Sequence, residues 1–371
     1  MNSGPARPSL RPLVDTALLS GTSPTARTVV EETHRLYEHL IGLWAPGVIE
    51  AAHDLGLFER LAPEPATGDV LAAALGTDPQ ATRVLLDALT AYDVVTRVVG
   101  EDGTVTYALP HRLGESLLPD GLYSLSGKIG YDRLLAWDAW RNLADVVRTG
   151  AVTDDGSRSS NAISTAHYQS LVRGLNFWAP PIVDVLAGAL ADRGWTPDRR
   201  VAMVDVGCGT GIYSHLLLDR FPGLTAVGLD VPDIVPLAAR QSEQLAVADR
   251  FTPRQGDFWS EDWGEGVDLV LFVNIFHLQS PESARELMRR ATKALSDDGV
   301  VAIVDQIVVG GTQQPSVQDR FSWLFAASML ATGGGDAHTV GAYDEWLADV
   351  GLHRVALLDT PMHRVLVGGW A

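Results

Sequence analysis

Between residues 29 and 62, apolar side chains recur at helical spacing: Leu36, Leu40, Leu43, Trp44, Val48, Ala51, Leu55, Leu57 and Phe58. That apolar content is too broad for one exposed helix face and predicts burial against another subunit. Over 67–110 the periods shorten. Val70 to Leu75 predicts a short helix, and Asp78-Pro79 opens a second one running to Ala91. Two strand-like runs, Val94–Val98 and Thr104–Leu109, then flank the hairpin turn Glu101-Asp102-Gly103. Two helices followed by a hairpin predict a winged-helix unit. Helices fill 113–190, interrupted by the polar loop Thr153–Asn161. From residue 200, apolar strands alternate with helical segments: Val201–Val206, Thr225–Leu229, Arg250–Gln255, Val267–Asn274 and Val300–Asp305, with C-terminal strands near Arg354–Leu358 and Met362–Gly368. The alternation predicts an α/β, doubly wound parallel sheet whose last strands form an antiparallel edge. The expected division is a loose tail over 1–28, a helical and winged-helix domain over 29–190, and an α/β domain over 191–371.

The 371 residues suffice for two domains and a large core. Lys and Arg number 28 against 46 Asp and Glu, so the net charge is −18. Such a surface repels nucleic-acid phosphates and anionic membranes and favours a small-molecule partner. The winged helix also lacks a basic recognition face, which points to dimerisation or a substrate lid. The single cysteine, Cys208, excludes an internal disulfide framework and a cysteine metal cluster. No apolar segment is expected to reach membrane-spanning length and no signal peptide is visible, so a soluble cytoplasmic protein is expected.

The most informative stretch is Met203-Val204-Asp205-Val206-Gly207-Cys208-Gly209-Thr210-Gly211, an apolar strand running into three alternating glycines, followed by an amphipathic segment from Tyr213. Gly207, Gly209 and Gly211 permit dihedrals other residues resist and let backbone N–H groups approach a ligand. Asp230, at the tip of the next strand, is placed to accept hydrogen bonds from a ribose diol. The spacing is G-x-G-x-G rather than the dinucleotide G-x-G-x-x-G, and Asp205 would oppose a phosphate. A ligand joining an amino acid group to adenosine, such as S-adenosylmethionine, fits better. Asp257 is positioned to accept from an adenine amino group while Phe258 or Trp259 covers the ring; a helix-capping or solvated Asp257 is the alternative.

His277 follows the apolar strand Leu269–Val273. An imidazole there suits removal of a proton from a phenol or enol as it attacks an electrophilic methyl group, the alternative being a satisfied structural histidine. Asp305, ending the next strand, is placed to hold the ring in its useful tautomer. The expected substrate wall is Trp137, Phe177, Trp178, Phe321, Trp323, Phe325 and Met329, roughly half of them in contact with substrate. No metal is expected, because His277, Asp305 and His338 lie far apart in sequence.

Together these features resemble the class I S-adenosylmethionine-dependent small-molecule O-methyltransferases of the caffeate and acetylserotonin type, in their bacterial natural-product branch, over residues 30–371. The resemblance implies a Rossmann-like catalytic domain behind a winged-helix dimerisation domain, an intertwined homodimer, and a role in antibiotic biosynthesis. It implies cofactor contacts at Asp205, Gly207, Gly209, Asp230, Asp257 and Phe258, with His277 as base and Asp305 its acidic partner. Three positions depart from the family pattern. Leu278-Gln279 follow His277 in place of Asp-Trp, Ala337 stands where a second acidic residue is usual, and Val273 where a basic residue is. The departures keep C- or N-methylation, or cofactor-binding hydroxylase or pericyclase-like chemistry, as alternatives.

Overall fold

The computed structural model describes residues 24–150, 165–311 and 314–370. The expected loop Thr153–Asn161 and residues 1–23 of the expected tail lie outside the described residues. The chain divides into two compact units between Gly121 and Leu122.

In the first unit, α1 (Pro24–Ile41) begins inside the stretch expected to be a tail, and α2 (Trp44–Asp54) and α3 (Leu57–Leu61) follow. The predicted helical stretch breaks before α3, where Gly56 adopts φ 67° and reverses the chain. Its apolar residues divide in two: Leu57 and Phe58 are fully buried, while Leu36, Leu40, Leu43, Trp44 and Leu55 stay exposed. The winged helix forms as expected. Helices α4 (Gly68–Leu75) and α5 (Pro79–Ala91) precede an antiparallel sheet of β1 (Ala66–Thr67), β3 (Val105–Ala108) and β2 (Thr96–Val99), in that spatial order. Asp78 caps α5 by accepting from the Ala81 N–H at 2.8 Å. Helix α6 (His111–Leu117) closes the unit.

The boundary at 121 differs from the one expected at 190. The helices α7 (Ser126–Tyr131), α8 (Trp137–Arg141), α9 (Leu143–Thr149), α10 (Thr165–Arg173) and α11 (Ala179–Asp192) belong to the second unit. The reason is packing: Ile182, Val183, Leu186 and Leu190 of α11 join the core formed by the large sheet. The run Thr165–Asp192 is long and apolar enough to span a membrane, against expectation, yet a turn over 174–178 interrupts it and those α11 side chains face the sheet.

The large sheet comprises β4 (Val201–Val206), β5 (Leu224–Asp230), β6 (Phe251–Gln255), β7 (Val267–Val273), β8 (Leu295–Asp305), β9 (Leu352–Asp359) and β10 (Arg364–Trp370), in the order β6-β5-β4-β7-β8-β10-β9. Helices α12 (Ile212–Arg220), α13 (Val235–Gln244), α14 (Pro281–Ala294), α15 (Val317–Thr332) and α16 (Val340–Ala348) connect the strands. Strands β4 to β8 pair in parallel. The expected antiparallel edge takes a different form: β10 alone is reversed, inserted between β8 and β9 and antiparallel to both. Alternate residues feed two cores, Val300, Ala302 and Val304 packing with α11 and α12, and Val301 and Ile303 with α14 and α16. Strand order reverses between β4 and β7. Ligands of open α/β sheets settle at the carboxyl ends of such a switch point.

Candidate active site

At the end of β4, Gly207, Gly209 and Gly211 take φ of 73°, 58° and 74°, a region where a Cβ is strained. A Cβ on Gly211 would also lie 2.7 Å from the His215 ring. The N–H groups of the three glycines are nevertheless engaged within the protein. Gly207 donates to Leu229 O (2.8 Å), Gly211 to Cys208 O (2.8 Å), and Gly209 to Asp230 Oδ2 (2.8 Å). The glycines therefore give shape and close approach rather than donors. Asp230 Oδ1 accepts from the Val231 N–H at 2.7 Å, leaving each oxygen a further lone pair at the end of β5. Burial raises the Asp230 carboxyl, and the Gly209 and Val231 N–H groups oppose that rise.

Asp205 is buried beneath the loop. Its Oδ2 accepts from the Ser214 hydroxyl at 2.6 Å, while Oδ1 has no partner among the described residues. Burial raises this carboxyl to about 7, against the lowering effect of Ser214. Asp257 lies exposed after β6 and caps a turn, accepting from the Trp259 N–H at 2.9 Å. Phe258 is partly buried beside the α14 core, its ring 5.3 Å from that of Trp259.

No sequence pattern signals the buried amide network that fixes the glycine loop from behind. Asn176 donates to Leu122 O (3.1 Å) and Gln241 Oε1 (2.9 Å) and accepts from the Thr210 hydroxyl (2.6 Å). Gln241 donates in turn to Thr210 O at 3.2 Å. The four groups lie far apart in sequence, and no local pattern connects them.

Beyond β7 a short turn, Phe276–Leu278, carries His277, which is 7% exposed. Both oxygens of the fully buried Asp305 hold it: Oδ2 accepts the His277 backbone N–H at 3.0 Å, and Oδ1 meets ring Nδ1 at 2.9 Å. The Gln306 N–H donates to Oδ1 as well, at 2.9 Å. Burial pushes the Asp305 carboxyl up, but the His277 ring and these N–H groups outweigh it and hold the carboxyl below the ordinary range. An ionised carboxylate only accepts, so in the neutral ring the proton sits on Nδ1 and Nε2 carries the lone pair. His338, weighed as a second polar group, instead donates from Nε2 to Phe276 O and Gln279 O, each at 3.1 Å. It braces the His277 turn, as does the Asp336 N–H on His277 O at 2.8 Å.

Five of the expected wall residues gather here. Phe325 meets the His277 ring edge-on at 5.0 Å, and Phe321 lies 6.4 Å from Phe325. Phe177 contacts Trp178, and Trp178 stands edge-on to His363 at 4.6 Å. Met329 packs against Gly335 beside the His277 carbonyl. Half-buried Trp137 lies on α8, which packs against α15. Trp323 does not share the face of Phe321 and Phe325, two residues to either side on α15, and is 48% exposed. His363 was not foreseen: it precedes β10, reaches Asn274 Oδ1 at 3.1 Å, and burial lowers its imidazole to about 4.

Comparison with known proteins accords with this arrangement. Residues 198–353 match the model of the O-methyltransferase domain, and residues 37–118 that of the O-methyltransferase dimerisation domain. Mitomycin biosynthesis 6-O-methyltransferase of Streptomyces lavendulae is 27% identical, over 76% of this chain and 79% of its own. L-tyrosine C(3)-methyltransferase of the same organism is 26% identical, over 85% of each chain. Acetylserotonin O-methyltransferase of Bos taurus is 25% identical, over 86% of this chain and 92% of its own. In fold, the chain matches human N-acetylserotonin methyltransferase, solved with its S-adenosylmethionine, with a TM-score of 0.77 at 18% identity over 95% of this chain and 99% of that one.

Proposed function

Because the chain belongs to the S-adenosylmethionine-dependent O-methyltransferases, we propose that it methylates a hydroxyl of a small aromatic or polyketide-like secondary metabolite with His277 as general base. The observation that carries this reading is the buried His277–Asp305 pair, which leaves Nε2 as the proton acceptor at the carboxyl end of β7.

The cofactor supplies an electrophilic methyl group on a sulfonium centre. The residues present suit it. Asp205 Oδ1 is a buried acceptor without a protein partner and would receive a cationic ammonium, and Asp230 retains lone pairs for ribose hydroxyls. Gly207, Gly209 and Gly211 would hold its centre, with Asp257 and Phe258 bordering the adenine end. His277 Nε2 takes the proton of the substrate hydroxyl as that oxygen becomes nucleophilic. Asp305 keeps the ring in the Nδ1–H tautomer and balances the imidazolium that forms. Phe177, Trp178, Phe321, Phe325, Met329 and Trp137 orient the substrate and exclude water. The protein acts as a homodimer in the cytoplasm, without nucleic-acid or membrane partners; the dimerisation domain, the exposed apolar row of α1 and the −18 charge support this.

The L-tyrosine C(3)-methyltransferase relative favours one second reading, transfer to a ring carbon beside a phenol, for which the same deprotonation makes that carbon nucleophilic. Incubation with methyl-labelled cofactor and a panel of small phenols separates the two. Label in an ether that acid cleaves supports O-methylation, label that resists cleavage supports C-methylation, and no labelled product with any phenol contradicts both.

A further inference from the structure

Gln306 sits one residue past the end of β8 and is 1% exposed, yet neither atom of its side-chain amide meets a partner among the described residues. The alternation that sends Val300, Ala302 and Val304 into the α11 core carries Gln306 onto the same face of the sheet. In the register of the neighbouring strand, Arg364 pairs with Asp305, so His363 comes level with Gln306. Val365 and Val367 also face the α11 core, and His363 continues their row. Trp178, at the start of α11, lies edge-on to the His363 ring, and its Nε1–H is likewise buried without a partner. Neutral His363 directs Nε2 to the Asn274 side-chain oxygen, which leaves Nδ1 as an acceptor. Asn274 holds this position at φ 57°, a left-handed conformation that few residues other than glycine adopt.

Buried polar atoms without partners are costly and rare in folded proteins. Here several converge at one strand edge. They also adjoin the proton-transfer pair, since the Gln306 N–H and the His277 ring share Asp305 Oδ1. Phe321 spans the gap, 6.5 Å from His363 and 6.4 Å from Phe325, which touches His277.

Resting on the reading that substrate enters at the ends of β7 and β8, we propose that Gln306, Trp178 and His363 form a recognition subsite for a neutral planar amide edge of the substrate: a carboxamide, lactam or carbamate. Such an edge presents N–H and C=O side by side, the complement of the Gln306 amide. The Trp178 N–H serves a second carbonyl lone pair, and His363 Nδ1 a second N–H. A carboxylate is excluded. It would be buried beside the ionised Asp305, and the guanidinium of Arg364, next in the chain to His363, is already engaged by Asp319 and Asp359.

The test is calorimetric binding of three probes, meta-hydroxybenzamide, meta-hydroxybenzoate and meta-cresol, to the full chain. The wild type should hold the amide about tenfold more tightly than either other probe. Gln306→Met, of similar length but apolar, should bring amide and cresol to within about twofold while raising the melting temperature, because an unpaired amide leaves the interior. Trp178→Phe, which removes only the N–H donor and part of the ring, should weaken amide binding several-fold if Gln306→Met fails to fold. Equal or absent binding of the three probes by wild type, or an amide preference kept in the variants, overturns the subsite. Binding requires no turnover, so His277→Ala should retain the preference. Near-normal methyl transfer by His277→Ala with the preference intact would therefore count against the proposed base and not against this site.

Discussion

At Asp205, burial without a full set of partners makes ionisation costly, and the consequence is measurable. The folded carboxyl holds its proton up to about pH 7, whereas in the unfolded chain it ionises near 3.8. Between those values the folded state binds more protons, so this residue's contribution to stability falls as pH rises through the window and levels off above it. Asp205→Asn removes the effect, and its stability relative to wild type in urea should grow from about pH 4 to about pH 7. A constant difference would contradict the placement of Asp205. His215 and His363 act with the opposite sign. Burial lowers each to about 4, so the unfolded chain binds protons that the fold refuses between about 4 and the ordinary 6.5. Stability conferred by these rings is lost as pH falls through that range, and His363→Gln should flatten the acid limb of a melting-temperature profile.

Among the elements, α15 is the one whose placement decides the substrate wall, and it is fixed by a charge. Arg364, 3% exposed, binds Asp319 in the first turn of α15, the Ser316 hydroxyl at its cap and Ile307 O. Asp319 also accepts the Val309 N–H at 2.9 Å. Removing one partner strands the other in the interior, so Arg364→Met should cost about 3–5 kcal/mol in denaturant unfolding. A loss below about 1 kcal/mol would show that the clamp does not hold α15. Strand β4 was legible residue for residue, since an apolar run ending in alternating glycines fits few local structures. The His277–Asp305 pair was legible too, because both residues end apolar strands and those strands prove to be neighbours. Trp323 was misplaced although helical spacing alone sets it off the face shared by Phe321 and Phe325. The position of β10 between β8 and β9 was not readable, because pairing across the sheet leaves no local signal. His363 and Gln306 gain their meaning only from that pairing. Asp205 was legible as the acidic residue before the glycine loop, but not its burial or the unpartnered Oδ1 that follows from it.

For the molecule as a whole, the exposed apolar residues of α1 and α2 in a chain carrying a dimerisation domain make self-association the expected state. Light scattering should give twice the 39.8 kDa chain mass, and the pair Leu36→Glu and Leu40→Glu should shift it toward monomer. A wild type that stays monomeric at micromolar concentration would contradict self-association, and a double variant that remains dimeric would place the interface elsewhere. Methyl transfer by the assembled protein is where the account stands or falls, and His277→Ala tests it most directly. Initial rates with labelled S-adenosylmethionine should fall by roughly a hundredfold to ten-thousandfold, while calorimetric cofactor affinity stays within about twofold of wild type. The defect should shrink for an acidic phenol at high pH, which ionises without help, and Asp305→Asn should give a smaller loss. Near-normal turnover by His277→Ala would contradict the account, leaving proximity alone to drive the reaction.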